Sequence, residues 1–256
     1  ALREGREAAA LQGPPPPQQI DAARWEQAAG LKPSETALAY WRRRLTRPLP
    51  SWPPARHMDQ KPHMREVSLS PAALNSLKAL ARQRKTSLNV LIITAYAEVL
   101  GRTQALVGQQ ELIIRMPIAG RRMETEGIVG CFADALLLRV PLRVGDFQAA
   151  AQRVHEQLYE ALGNAAPPSL LNRELDLSPR ELIDINQVVL NLEQGVTFLN
   201  IPTHLGADLT TEPVAAELRP RLDTSMFRSL LSLNEHPDGH LRGEWFWSND
   251  LLEGDV

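Results

Sequence analysis

Residues 111–140 read ELIIRMPIAGRRMETEGIVGCFADALLLRV, and the alternation of apolar and polar blocks along this stretch decides the fold class. Glu111 to Pro117 is rich in β-branched and aliphatic residues and is read as a strand that stops at Pro117, which cannot donate to a central ladder. The segment AGRRMETEG places Gly120, Arg121 and the charges after it in a polar turn outside the core. From Ile128 to Val140 an almost unbroken apolar run resumes, the pattern of a second strand buried on both faces. Within that run Gly130 removes a side chain, and Cys131 is read as a small core residue rather than a nucleophile. Asp134 sets a carboxylate among apolar neighbours and needs a polar partner, water or a channel, because unpaired burial of a carboxylate is expensive.

The rest of the chain supplies helices and further strands around this pair. Residues 1–12 have the look of the last turns of a helix, and Gly13 with Pro14–Pro17 makes a linker. Asp21 is expected to cap a short helix holding Trp25. Ser34 starts a better one, SETALAYWRRRL, with Leu38, Trp41 and Leu45 on one face. Pro48–Pro54 forms a second rigid connector, and MREVSLS (64–70) alternates as a strand does. Ser70-Pro71 and Ser87 begin two helices, the second apolar nearly all round and therefore buried. Asp146 begins another helix that ends at Gly163-Asn164 and carries His155 at its solvated or core-edge side. NQVVLNLE (186–193), SMFRSLLSLNE and LRGEWFWSNDLL are strand candidates, the last two joined at Asp238-Gly239, a hairpin turn signal.

Composition narrows the function classes. With 256 residues, 43% hydrophobic and 23% charged, the chain has the profile of a globular protein with a substantial core. A formal net charge of −2 gives no electrostatic case for nucleic acid or an anionic membrane. No apolar run reaches the roughly 20 residues a membrane helix needs, and a cytoplasmic location is expected. The single cysteine excludes an internal disulfide framework and a cysteine-based metal cluster. No metal-ligand cluster, internal repeat or phosphate-binding glycine loop occurs in the sequence.

The pair PIAGRR and VGCFADALLLRV resembles the second-lobe signature of condensation domains of nonribosomal peptide synthetases, a pattern of roughly TPVAGR followed by VGxFVNTLxLRV. Pro117, Ala119, Gly120 and Arg121 match the first part, and Val129, Gly130, Phe132, Leu136, Leu138, Arg139 and Val140 match the second. Ala133, Asp134 and Ala135 depart from it. AYWRRRL is similar to the element that follows the family's first lobe, NQVVLNLE to a strand of the second, and residues 226–252 to its closing hairpin. The resemblance implies a mixed-sheet α/β sandwich like one lobe of the chloramphenicol acetyltransferase-like fold. Residues 1–62 would be the end of a first-lobe helix and an inter-lobe linker, and residues 63–256 the C-terminal lobe, with a crossover near 195–222.

The resemblance also implies chemistry. The family joins a carrier-bound acyl thioester to an amine or hydroxyl acceptor, both presented on phosphopantetheine arms of carrier proteins, with no cofactor bound directly. Its catalytic motif, HHxxxDG, is absent here: the six histidines are isolated, and His236-Pro-Asp-Gly reads as a turn. No catalytic residue is therefore expected in this chain, which alone should be inactive and would need the N-terminal lobe as partner. The residues placed by resemblance along the substrate tunnel are Ala119, Gly120, Asp134, Met226 and Arg228. Pro117, Arg121, Gly130, Phe132 and Arg139 are assigned to structure. Asp134 in place of asparagine, and Arg228 in place of aspartate, imply an unusual acceptor if both face the tunnel. Two other readings are a noncatalytic lobe that docks a carrier protein, and a coenzyme A-dependent acyltransferase of the same superfamily.

Overall fold

The computed structural model describes residues 17–28, 33–46, 48–50, 63–103, 106–121, 123–142, 145–166, 168–177, 186–191 and 228–247. In chain order the elements are α1 (Gln19–Ala28), α2 (Glu35–Arg44), β1 (His63–Leu69), α3 (Pro71–Gln83), α4 (Leu88–Gly101), β2 (Glu111–Ile118), β3 (Asp134–Pro141), α5 (Phe147–Gly163), α6 (Pro168–Glu174), β4 (Asn186–Asn191), β5 (Ser229–Glu235) and β6 (Leu241–Trp247). Two compact units are distinguished: one joins α1 to the loop 120–133, and the other holds the sheet and the remaining helices.

Helix starts follow the sequence closely because side chains supply the missing acceptors. The hydroxyls of Ser34, Ser70 and Ser87 accept from the amides of Ala37, Ala73 and Val90, and Asp146 accepts from Gln148. α1 differs from the expectation. Asp21 lies inside its first turn and reaches back to accept from the Gln18 amide at 2.9 Å, so the helix begins at Gln19, and Trp25 remains exposed.

The larger unit is built on one six-stranded mixed sheet of order β1-β6-β5-β4-β2-β3. β2, β4 and β5 run parallel to one another, while β3, β6 and β1 are attached by antiparallel pairing. β3 is an edge strand, yet it is buried, because α4, α5 and α6 pack on it. α4 is buried on nearly every side, as its all-round apolar sequence requires. Trp41 from α2 is fully buried and donates its indole N–H to the Asn164 carbonyl at 2.8 Å, tying α2 to the end of α5. Tyr96 of α4 joins β5 and β6 through Ser229, whose hydroxyl also accepts from the Trp245 indole at 2.7 Å.

Two strand boundaries depart from the sequence reading. β2 does not stop at Pro117. It continues to Ile118 with Pro117 opposite Ala135, because the parallel pairing with β4 involves only Ile114 and Arg115 and Pro117 lies beyond it. The larger correction concerns residues 128–133, which are loop rather than strand, so that β3 begins at Asp134. Their backbone groups are held by side chains instead of by a ladder: Arg121 takes the carbonyls of Ile128 and Gly130, and Gln19 pairs with both backbone groups of Cys131. Cys131 is consequently exposed, not a core residue, and Val129 is 91% exposed. The residues expected to form the crossover near 195–222 lie outside those described.

Candidate functional site: the carboxyl end of the sheet

The β2–β3 hairpin brings Ala119 and Asp134 to one corner of the sheet, since Asp134 is paired with Ile118. Asp134 is half-buried at the first position of β3, and its carboxylate accepts from the Ala135 amide at 2.8 Å. Ala119 is exposed directly after β2. Pro117 is buried in the ladder one pair further in.

Gly120, Arg121, Gly130 and Phe132 belong to the other unit. Gly120 has φ +59°, a left-handed conformation that a side chain would strain. Arg121 organises the loop: one of its terminal nitrogens donates to the carbonyls of Thr125 and Ile128 at 2.9 and 2.8 Å, and the other to that of Gly130 at 2.8 Å. Its guanidinium also lies 4.8 Å from the centre of the Phe132 ring, within cation–π range. Gly130 packs against the Gln19 side chain, where a Cβ would come within 2.9 Å.

Arg139 sits at the opposite end of the hairpin. Its Nε donates to the Glu111 carboxylate at 2.6 Å and a terminal nitrogen to the Thr46 carbonyl at 2.9 Å, which fixes the segment after α2 to the sheet. Arg228 is buried just before β5, at the amino end of the parallel strands. Asp134 is at their carboxyl end and three strand positions away, about 17 Å along the strands and 14 Å across them by standard spacings. The two substituted charges therefore do not share one locus. Met226 lies outside the described residues.

A site that the sequence reading did not single out lies on the other half of the sheet. β1, β6 and β5 are in unbroken antiparallel register, so paired residues share a face. On one face Val67, Trp245, Leu231 and Leu233 turn toward the core. The other face carries three successive cross-strand rows: Met64, Phe246 and Leu230; then Glu66, Glu244 and Ser232; then Ser68, Arg242 and Asn234. The second and third rows, with His236, line an open groove of about 540 Å³. The groove lies toward the carboxyl ends of β4 and β5, the end of the sheet that also holds Ala119 and Asp134. That is where ligands characteristically enter parallel α/β sheets. Its floor is shaped by Gly243, where a Cβ would lie 1.8 Å from the Ser232 carbonyl oxygen. The period-two polar positions of SLLSLNE and LRGEWFW were the available signal, hidden because polar residues on one face of a hairpin are ordinary.

Electrostatics around the groove are set by the β5–β6 turn. Asp238 accepts from the His240 amide and pairs with Arg242 at 2.7 Å; the backbone hydrogen bond, then the guanidinium, hold its carboxyl below the usual range. On the core side, burial pushes the Tyr96 phenol well above its ordinary value, against the opposing effect of its bond to Ser229. Among the described residues there is no group of three side chains able to hold a metal ion, and no helix is long and apolar enough to cross a membrane.

The comparisons with known proteins agree with this architecture. The chain is 30% identical over 234 residues to a plipastatin synthase from Bacillus subtilis, covering 86% of this chain and 9% of that protein. It is 26% identical over 257 residues to cyclosporin synthetase simA from Tolypocladium inflatum, covering 95% of this chain and 2% of that one. It thus spans less than a tenth of these relatives. Among solved structures, the X-domain from teicoplanin biosynthesis matches with a TM-score of 0.71 at 19% identity, over 99% of this chain and 58% of its own. The first condensation domain of the calcium-dependent antibiotic synthetase, in complex with a substrate analogue, matches with a TM-score of 0.64 at 20% identity, over 99% of this chain and 53% of its own. The sheet is thus that of the chloramphenicol acetyltransferase-like mixed α/β fold. The condensation-domain model matches residues 1–216, and the chain belongs to that family, the condensation domains of nonribosomal peptide synthetases.

Proposed function

We propose that the polypeptide to which this chain belongs condenses a carrier-bound acyl thioester with an amine or hydroxyl acceptor, and that residues 63–256 form the C-terminal lobe of that enzyme. In such a reaction the acceptor heteroatom attacks the thioester carbonyl. A C–N or C–O bond forms, the C–S bond breaks, and the acceptor's proton is passed on as the pantetheine thiol is released. The observation that carries the reading is a family match over residues 1–216 on a fold that accounts for just over half of the solved X-domain and first condensation-domain chains. The histidine motif of the family is not in this sequence, so general-base chemistry belongs to the N-terminal lobe. This lobe supplies a wall of the substrate tunnel at the carboxyl end of the sheet, with Ala119 and Asp134 at one corner and Gly120 next along the chain. Met226 and Arg228 remain proposed tunnel residues, Arg228 at the far end of the strands. Donor and acceptor carrier proteins, each bearing phosphopantetheine, are the partners, and the cytoplasm is the compartment.

A second reading is favoured by one comparison. The X-domain of teicoplanin biosynthesis was solved in complex with OxyB and matches this chain with a TM-score of 0.70. A lobe of this shape is therefore suited to docking another protein.

One experiment separates the two. The chain is combined with an N-terminal lobe bearing HHxxxDG and with aminoacylated donor and acceptor carriers, and product is read by mass spectrometry. New amide or ester product from the combination, and none from the chain alone, supports condensation. Carrier binding with no product from the reconstituted pair overturns it in favour of docking.

A further inference from the structure

We infer that Arg115 of β2 is a recognition residue for a free carboxylate carried on the ligand. The inference rests on the condensation reading only in taking the Ala119 end of the sheet as the one that meets substrate. Arg115 is half-buried in a strand whose other residues, apart from Glu111, are buried, and its Nε is sealed from solvent without a hydrogen-bond partner. Among the described residues no carboxylate or other acceptor engages its guanidinium. A partly desolvated guanidinium in that state disfavours the folded chain. The adjacent row shows the usual remedy: Arg139, paired with Ile113 in the ladder, donates to Glu111 at 2.6 Å. Arg115 is left without one.

Register places the group. Arg115 is paired with Leu137 and, through β4, stands in the row of Leu230, Phe246 and Met64, on the face opposite Val188, Leu190 and Leu231. Asp134 is paired with Ile118 and belongs to the other face, so it does not neutralise Arg115. Glu244 and Glu66 share the Arg115 face but lie three and four strands away, about 14 and 19 Å by standard spacings. Toward the carboxyl end the next row is Pro117 and Ala135, and exposed Ala119 follows two residues on. On this face β2 and β3 therefore set only small side chains between the guanidinium and that end. The number of free cations fixes the charge of the ligand. Of the two guanidiniums in β2 and β3, Arg139 is engaged, and Arg115 offers a single positive charge through its two terminal nitrogens. That matches a carboxylate bound end-on by two parallel N–H···O bonds. A phosphate dianion would be left half compensated.

The test is equilibrium binding to the 256-residue chain, followed by backbone amide shifts in β2 and β3. It requires no turnover. Probes are monomethyl succinate, its neutral dimethyl ester and methyl phosphate. The monoester should bind about tenfold tighter than the diester, the size of one charge-assisted contact. Arg115→Lys, which keeps the charge and loses the fork, should weaken it several-fold. Arg115→Met should erase the preference and leave the melting temperature unchanged or raised, which the loss of a structural arginine would not do. Equal binding of the two esters, no binding, or a preference that survives Arg115→Met overturns the inference. So does a marked fall in melting temperature on that substitution. Tighter binding of methyl phosphate, lost in the Arg115→Met variant, overturns the carboxylate assignment in favour of a phosphoryl ligand. A full polypeptide that forms product while the chain ignores these probes would sink the carboxylate site alone and leave the condensation reading in place.

Discussion

The two halves of the sheet solve opposite problems. In β2 and β3 nearly every residue of both side-chain parities is buried, and Val188 and Leu190 of β4 are too. In β6 one parity is mostly buried and the other half-buried, and β1 is exposed or half-buried along its whole length. The first half is the stabilising slab, gripped by helices, and its charged groups, Glu111, Arg115, Asp134 and Arg139, are half-buried rather than buried. The second half rests its core face on α4 and leaves a polar face open. A protein that must present chemistry from a sheet needs such a face, and antiparallel strands supply it more readily than parallel ones.

That contrast can be broken most severely at Gly243, which lies in the open half yet has no freedom. A Cβ there meets a backbone carbonyl oxygen, and backbone cannot swing aside as a side-chain tip can. Gly243→Ala should cost about 3 kcal/mol or more, a fall in Tm of roughly 6–12 °C for a protein of this size. An unchanged melting temperature would show that β5 and β6 are less closely apposed than described. In the slab, Leu136→Ala empties a fully buried position and should cost about 2–5 kcal/mol by thermal or denaturant unfolding. Met64→Ala, a truncation on the open face, should cost well under about 1 kcal/mol, since surface changes are usually within about 0.5. Similar losses at both positions would erase the distinction between the halves.

Much of the slab was legible beforehand for a physical reason. Helix caps are local chemistry, and Ser34, Ser70, Ser87 and Asp146 each cap the helix that their sequence announced. The antiparallel hairpins and their strands were likewise visible in periodicity and in Asp238-Gly239. The failure lay in reading Ile128–Val140 as one strand. An apolar run shows that residues avoid water in sum, but not where their amides and carbonyls go. Here a single arginine captures three carbonyls, and a glutamine from 112 positions away captures Cys131, so six residues leave the ladder. The groove was illegible for another reason: it exists only once β1 registers against β6, strands separated by more than 170 residues.

Between the extremes lie two side chains that hold by hydrogen bonding. Tyr96 is buried with its phenol pushed up by desolvation. Below the ordinary tyrosine value, about 10, folded and unfolded chains are both protonated there, and the group adds no pH slope. Above it the unfolded chain loses the proton first, so stability falls as pH rises. Tyr96→Phe should cost about 1 kcal/mol at neutral pH and flatten that alkaline fall, which is checked by denaturant unfolding between about pH 8 and 11. Arg121→Ala should barely move global unfolding, because it releases a loop and not the slab. Its signature is faster amide exchange within residues 121–133, and unchanged exchange there would mean that the loop is held by other groups.

The smallest expected effect on stability falls on Glu66 and Glu244. Both face the open side, and the like charges sit directly opposite each other in the ladder. Replacing either by glutamine relieves repulsion worth a few tenths of a kcal/mol, within the roughly 0.2–1 kcal/mol of a cross-strand pair. The melting temperature should therefore hold or rise slightly, by about a degree. A marked fall in stability on either substitution would instead make the acidic row part of what holds β1 to β6.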